Sequence, residues 1–132
     1  MRVRLVCDAS AVVALLVDSG SGGQWAAERL RAAELFAPSL LPYECANILR
    51  RHELGGAISG DQAAQAHADL LDLGIDLWPY ELFGTRVWQL RHNLSSYDAA
   101  YVALAETISA RLVTIDRRLS RAPGIRCPVD CP

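Results

Sequence analysis

Lysine is missing from this sequence, and all thirteen basic residues are arginine. That excludes chemistries that need a lysine: phosphate capture by a P-loop, Schiff-base and pyridoxal-phosphate catalysis, and receiver-type phosphoacceptor sites. An excess of positive charge is missing too. Thirteen Arg against fifteen Asp plus Glu give a net charge of −2, which excludes a globally basic nucleic-acid binder. No segment reaches the ~18 consecutive apolar residues of a membrane span. The N-terminal run ends at Asp8 after a few apolar residues, too short for a secretory leader, so a cytoplasmic protein with no membrane partner is expected. Histidine is scarce. His52, His67 and His92 have no acid or cysteine at ligand spacing, and Ser10 has no histidine partner for a nucleophilic triad. Cys7, Cys45, Cys127 and Cys131 lack the further ligands that zinc requires, and free thiols are expected.

What remains is 132 residues, 52% apolar and 21% charged, the composition of a globular chain and the length of one domain, 1–132. Val3–Cys7 reads as a strand, and the apolar stretch from Ala11 to Val17 as a helix capped by Ser10. Ser19–Gly23 reads as a flexible Gly/Ser connector, and Trp25–Leu35 has helical spacing. Pro42 suits the first turn of a helix stopped by Gly55-Gly56. Ser59-Gly60-Asp61-Gln62 has capping-box form. Ile75–Trp78 reads as a strand, Glu81–Arg91 as a helix, and Ser95 opens a helix to about Ala110. Leu112–Ile115 is an apolar strand closed by Asp116, and the proline-bearing tail has room for one edge strand. Strands that alternate with helices and are apolar on both faces predict an α/β fold, a mainly parallel sheet covered by helices.

Four acids occupy unusual places. Asp8 and Asp116 end strands, and in a parallel sheet those ends share the edge where ligands bind. Glu44 and Asp98 fall in the first turns of helices. Each has an ordinary structural reading: capping, turn formation, or a favourable helix dipole. Together, however, clustered carboxylates raise one another's pKa, and a hard divalent cation removes that cost. Oxygen ligands in this number suit Mg2+ or Mn2+. Such an ion acidifies a water for attack on a phosphodiester. Thr114 lies two residues before Asp116 and Ser10 two after Asp8, so either can orient a ligand or a water. A plain strand residue is the competing reading of Thr114.

Asp8-Ala9-Ser10-Ala11-Val12-Val13-Ala14-Leu15-Leu16, Pro42-Tyr43-Glu44-Cys45-Ala46-Asn47, Ser96-Tyr97-Asp98-Ala99-Ala100-Tyr101-Val102-Ala103-Leu104-Ala105 and Leu112-Val113-Thr114-Ile115-Asp116 resemble the PIN domain. More narrowly, they resemble the toxin ribonucleases of bacterial VapBC modules. The likeness runs in order over nearly the whole chain. It implies a three-layer α/β/α sandwich and a Mg2+- or Mn2+-dependent endoribonuclease. Asp8, Glu44, Asp98 and Asp116 would be its acidic quartet, with Ser10 and Thr114 as polar helpers. It also implies a homodimer held inactive by a cognate VapB-like antitoxin, whose tail, often carrying an arginine, enters the acidic pocket.

An RNA substrate needs cations. Five arginines and one acid lie between residues 111 and 126. Arg117, Arg118 and Arg121, with Arg51 seven residues after Glu44, are the candidate RNA contacts. Solvation or pairing, for example with Glu106, is the alternative for each. Tyr43 and Tyr97 are placed to stack a base, or simply to pack. Trp25, Trp78 and Trp88 read as core or interface. The helical stretches Trp25–Phe36 and Ile48–Ile58 are the candidate partner surfaces. Two other functions stay open: a PIN nuclease of RNA processing without an antitoxin, and a catalytically vestigial antitoxin-binding module.

Overall fold

The computed structural model describes residues 2–132. Five strands form one sheet: β1 (Arg4–Cys7), β2 (Glu34–Pro38), β3 (Asp76–Trp78), β4 (Arg111–Val113) and β5 (Val129–Asp130). Their order is β3-β2-β1-β4-β5, and every pairing is parallel. β1 lies at the centre, with Val6 opposite Phe36 on one side and Leu112 on the other. Its Leu5, Val6 and Cys7 are all buried, as expected of a strand covered on both faces.

Helices α1 (Ala9–Val17), α2 (Ser21–Leu30), α3 (Leu41–Leu54) and α4 (Gly60–Asp72) connect β1 to β2 and β2 to β3. They pack on one another. A 3-10 turn (Tyr80–Leu82), α5 (Gly84–Gln89) and α6 (Ser96–Thr107) carry the chain back past β1 to β4. Because crossovers are right-handed, reversing direction along the sheet places α5 and α6 on the opposite face, and three layers result. Residues Ala99 to Ala105 of α6 are all buried. Four of these seven are alanine, which lets the helix approach β1, β2 and β4 closely. A short α7 (Arg117–Ser120) precedes β5. No helix among the described residues is long and apolar enough to cross a membrane.

Three local expectations are corrected. Ser19–Gly23 is not a free connector, because Ser21, Gly22 and Gly23 begin α2. A Cβ on Gly23 would stand 1.8 Å from the Asp18 carbonyl oxygen and 2.9 Å from that of Ala14. Glycine is there so that α2 can close on α1. Trp25–Leu35 is not one helix, since α2 stops at Leu30 and β2 opens at Glu34. Pairing with β1 and the alternating burial of Leu35 and Ala37 override the helical spacing. Trp25–Phe36 is therefore no continuous helical docking surface; Phe36 sits on the sheet, edge-on to Trp78. Glu81–Arg91 splits into the 3-10 turn and α5, which ends at Gln89.

Trp25 and Trp78 are half-buried against the core. Trp88 is 63% exposed under the Arg91 guanidinium, 4.6 Å from its ring centre. All four cysteines are free. Burial raises the thiol pKa of Cys45 to about 12 and that of Cys127 to about 11. Cys7 is pushed up further still, so these thiols are packing groups.

Candidate active site

The chain leaves β1 in one direction along the sheet and returns on its other side at β4. The crevice outside the carboxyl ends of β1 and β4 is thus the switch point where ligands bind in open α/β sheets. Asp8 follows β1 directly and is buried, 7% exposed. It caps α1: Oδ1 accepts from the Ala11 N–H at 3.0 Å and the Ser10 hydroxyl at 2.7 Å. Oδ2 accepts from the Thr114 hydroxyl at 2.5 Å. Thr114 Oγ1 in turn accepts from the Asp116 N–H at 3.0 Å, and Ser10 Oγ from the Ile115 N–H at 3.1 Å. Ser10 and Thr114 therefore stitch β1 to the loop after β4 and fix the Asp8 carboxylate between them. Thr114 stands just past β4, which ends at Val113.

Glu44 is half-buried in the first turn of α3, which begins after Pro38 closes β2. Its Oε1 accepts from the Tyr101 hydroxyl at 2.5 Å. Tyr101 is a buried residue of α6 to which the sequence reading assigned no role. Its spacing is the signal: it lies three residues after Asp98, on the same helical face.

Asp98 sits in the first turn of α6, where Ser95 Oγ accepts from the Asp98 N–H at 3.1 Å. At α4 both halves of the capping box form between Ser59 and Gln62. At α6 only the Ser95 half forms. The Asp98 carboxylate is left to line a cleft of about 400 Å³ together with Asp116. Asp116 caps α7 through the Arg118 N–H at 2.9 Å and pairs with the Arg118 Nε at 3.5 Å.

Electrostatics tie the quartet together. The Asp8, Glu44 and Asp98 carboxyls are all pushed above the ordinary range, first by burial. The charge of Asp98 raises both Asp8 and Glu44, Asp8 raises Glu44, and Asp116 raises Asp98. Opposing these shifts are the hydroxyls on Asp8, the Tyr101 hydroxyl on Glu44, and the Arg118 charge and Ser95 on Asp98. Asp98 is thus linked to each of the other three acids: it raises Asp8 and Glu44 and is raised by Asp116. No three acids, histidines or cysteines among the described residues stand close enough to chelate one ion. The acids share an edge and a field.

In its chemistry, though not in its spacing here, the donor set fits a hard cation. It is all oxygen and anionic, its members repel one another, and lone pairs remain. Asp8 commits three of its roughly four; on the Asp98 carboxylate the one hydrogen-bonding group that acts is the Ser95 hydroxyl.

The candidate RNA contacts divide. Arg118 and Arg121 line the cleft that holds Asp98 and Asp116. Arg51 lines a separate, more apolar groove of about 530 Å³, with Ser10, Val13, Val17, Ile48, Ile58 and Ile115 among its walls. Arg117 is exposed and lines neither. Arg86 is paired: its Nε donates to Glu106 Oε1 at 2.7 Å. Tyr43 and Tyr97 are 81% and 65% exposed beside their acids.

The PIN domain family model matches residues 5–125. Ribonuclease VapC9 of Mycobacterium tuberculosis is 40% identical over 129 residues, 95% of each chain. The solved structure of M. tuberculosis VapC20, a sarcin-ricin loop cleaving toxin, shares the fold with a TM-score of 0.65 at 20% identity, covering 92% of this chain and 96% of that one. So does VapBC2 of Rickettsia felis bound to a promoter DNA fragment, with a TM-score of 0.64 at 12% identity over 97% and 98% of the two chains. With its acids at the switch point of an all-parallel sheet and a relative this similar over almost its whole length, the chain belongs to the PIN-domain family, among the VapC ribonucleases.

Proposed function

We propose that this chain, a single PIN domain over residues 1–132, is a Mg2+- or Mn2+-dependent endoribonuclease that cuts single-stranded or looped RNA. One observation carries the reading: four acids from distant parts of the chain line one sheet edge, where burial and mutual charge hold the Asp8, Glu44 and Asp98 carboxyls above the ordinary range. Such repulsion is costly and local folding does not demand it. It is relieved by a hard cation. A divalent ion at this edge supplies charge neutralisation for a phosphate and acidifies a water. Asp8, clamped by Ser10, Thr114 and the Ala11 amide, is the positioned ligand. Glu44, oriented by Tyr101, and Asp98 complete the donor set with Asp116. Arg118 and Arg121 bring the RNA backbone to it, and Arg51 and Arg117 add weaker attraction.

The chain is, in this reading, the toxin of a type II toxin–antitoxin pair, cytoplasmic and dimeric, neutralised by a VapB-like antitoxin. The apolar groove of Val13, Val17, Ile48, Ile58 and Ile115 beside Ser10 suits an antitoxin segment, and one of the solved relatives of this fold is a VapBC complex. The exposed Leu77, Tyr80, Leu82 and Trp88 are apolar surface that a second copy would cover.

The test is cleavage of total cellular RNA by the purified chain, with ends mapped. Cleavage with Mg2+, its loss in EDTA, its loss in Asp98→Asn, and 5′-phosphate with 3′-hydroxyl ends are expected. Cleavage that survives EDTA, or an Asp98→Asn protein as fast as the parent, refutes the reading. Activity that stays undiminished in a stoichiometric antitoxin complex refutes the toxin role.

A further inference from the structure

The cleft that opens from Asp98 and Asp116 is not acidic throughout. Beyond the two carboxylates its walls carry Arg118, Arg121 and Asn93, and its apolar lining comes from Leu94, Leu119 and Pro123. At about 400 Å³ it lies near the lower end of small-ligand sites, room for one nucleotide rather than a duplex. Anion, amide and apolar surface in one cleft are the three things a nucleotide needs: a counter-charge for phosphate, a donor–acceptor pair for a base edge, and a flat contact for a base face.

Asn93 is exposed, and the loop at Gly124 passes close behind it. Gly124 has φ +85°, and a Cβ built on it would stand 3.0 Å from Asn93 Nδ2. The glycine is what lets this loop pass against the carboxamide. The loop is itself pinned, because the Gly124 carbonyl oxygen accepts from the Arg86 guanidinium at 2.7 Å. Arg86 is locked to Glu106 in a largely buried bridge, with side-chain exposures of 18% and 13%. Glu106 also accepts from the Arg126 N–H at 2.8 Å. A partly buried ion pair far from the acids thus fixes the wall on which Asn93 rests. No side-chain hydrogen bond within the protein uses the Asn93 carboxamide among the described residues, so its donors and its oxygen remain available to a ligand.

We propose that this cleft is a single-nucleotide subsite beside the acids, in which Arg118 and Arg121 hold the phosphate and the Asn93 carboxamide reads the edge of one base. The inference rests on the ribonuclease reading for its place in catalysis, though not for its ligand. Asn93 is then a specificity determinant, and Gly124 and Arg86 are positioning residues behind it. A carboxamide presents one donor and one acceptor side by side; presented in one orientation, it matches base edges whose acceptor and donor run in the complementary order and disfavours those in the reverse order. The other groove, apolar around Ile115, has no such set.

The experiment has two arms on the intact chain. In the first, AMP, GMP, CMP and UMP are titrated in Mg2+ and followed by calorimetry and by the side-chain amide NMR signals of Asn93. One nucleotide should bind about tenfold more tightly than the rest and shift those signals. Asn93→Ala should abolish that preference while keeping weak binding of all four. Arg121→Ala should weaken all four alike and flatten the salt dependence. In the second arm, cleavage sites on an RNA pool are mapped. Asn93→Ala should still cleave but lose its base preference at one position next to the cut, and Gly124→Ala should behave likewise. Nucleotide affinities that are equal in the parent, or a preference unchanged in Asn93→Ala, overturn the subsite. A parent that binds mononucleotides as described yet cuts no RNA leaves the subsite standing and removes the ribonuclease reading.

Discussion

Replacing Asp98 by asparagine keeps the size of the side chain and removes its charge, and the structure says this should stabilise the metal-free protein while ending its activity. Ser95 accepts from the Asp98 N–H, and its hydroxyl also lowers the Asp98 carboxyl by hydrogen bonding. An asparagine oxygen can still accept there, so little structural is lost with the charge beyond a helix-dipole contribution of roughly 0.5 kcal/mol. What is removed is repulsion from Asp8, Glu44 and Asp116. At a partly exposed edge each like charge costs on the order of 1 kcal/mol. Arg118 offsets part of this, but its side chain is 93% exposed and heavily screened. Solvent reaching the half-buried Asp98 halves the rest. The net gain is about 1 kcal/mol, or a rise in Tm of roughly 3–5 °C for a chain of this size. Thermal unfolding in EDTA at low ionic strength measures it. The gain should shrink as salt rises through about 0.5 M and reverse in sign when Mg2+ is added, because the parent then gains a ligand that the variant holds poorly. A variant less stable than the parent in EDTA, or a difference indifferent to salt and to Mg2+, refutes the picture of Asp98 as a member of a repelling cluster.

The same shifts set a pH dependence. Asp8, Glu44 and Asp98 have folded pKa values above their ordinary ones, so the folded state binds protons more tightly than the unfolded, and stability falls as pH rises through that window. In EDTA the parent should therefore gain stability between neutral pH and the upper carboxylate range relative to Asp98→Asn; parallel stability curves for the two proteins would contradict this. Tyr101→Phe removes the one side-chain donor to Glu44 among the described residues. It should cost about 1 kcal/mol in urea unfolding, and the acid limb of the cleavage profile should move to higher pH, because the bond that lowers the Glu44 pKa is gone. An unmoved limb would deny Tyr101 its orienting role. Gly23→Ala places a Cβ against the fixed Asp18 carbonyl at 1.8 Å, whereas Gly22→Ala meets only the movable Asp18 carboxylate at 2.7 Å. The first should cost ~3 kcal/mol and the second under about 1 kcal/mol; equal losses would mean that α1 and α2 do not abut as described.

Much of this fold was legible because its signals are local. Apolar strands, Pro42 at a helix start and the box at Ser59 each act within a few residues, and the alternation of types specifies a parallel sheet. The quartet was legible because acids at strand ends and first turns are set by the same local grammar. Partnerships across the chain were hidden. Ala33 and Leu35 read as helix until β1 supplies a strand to pair with. Gly22 and Gly23 read as slack until α1 is seen lying against α2. Thr114 reads as either strand or helper, and only the 2.5 Å bond to a residue 106 positions away decides it. Tyr101 lies in a quoted motif, but its hydroxyl acquires meaning only when Glu44, 57 positions away, is beside it. Arg118 and Arg51 are alike in sequence, and topology alone puts them in different clefts.

The structural roles of the four acids are visible in the geometry, and they are compatible with the proposed catalytic one. Asp8 and Asp116 cap helices with one oxygen each, and those caps fix where the remaining lone pairs point. Glu44 and Asp98 sit in first turns, where the partial positive charge of α3 and α6 attenuates repulsion that would otherwise push their carboxyls to protonation. A cluster of four acids with a single arginine on Asp116 can fold without an ion because each acid stands at the start of a helix. That same placement is what directs all four to the carboxyl edge of the sheet, since every helix that leaves this edge must begin there. An open parallel sheet with acids at its helix starts thus assembles an acidic edge as a consequence of its connectivity. What chemistry the edge performs is then decided by the residues that flank it: Arg118, Arg121 and Asn93 on one side, and the apolar groove at Ile115 on the other.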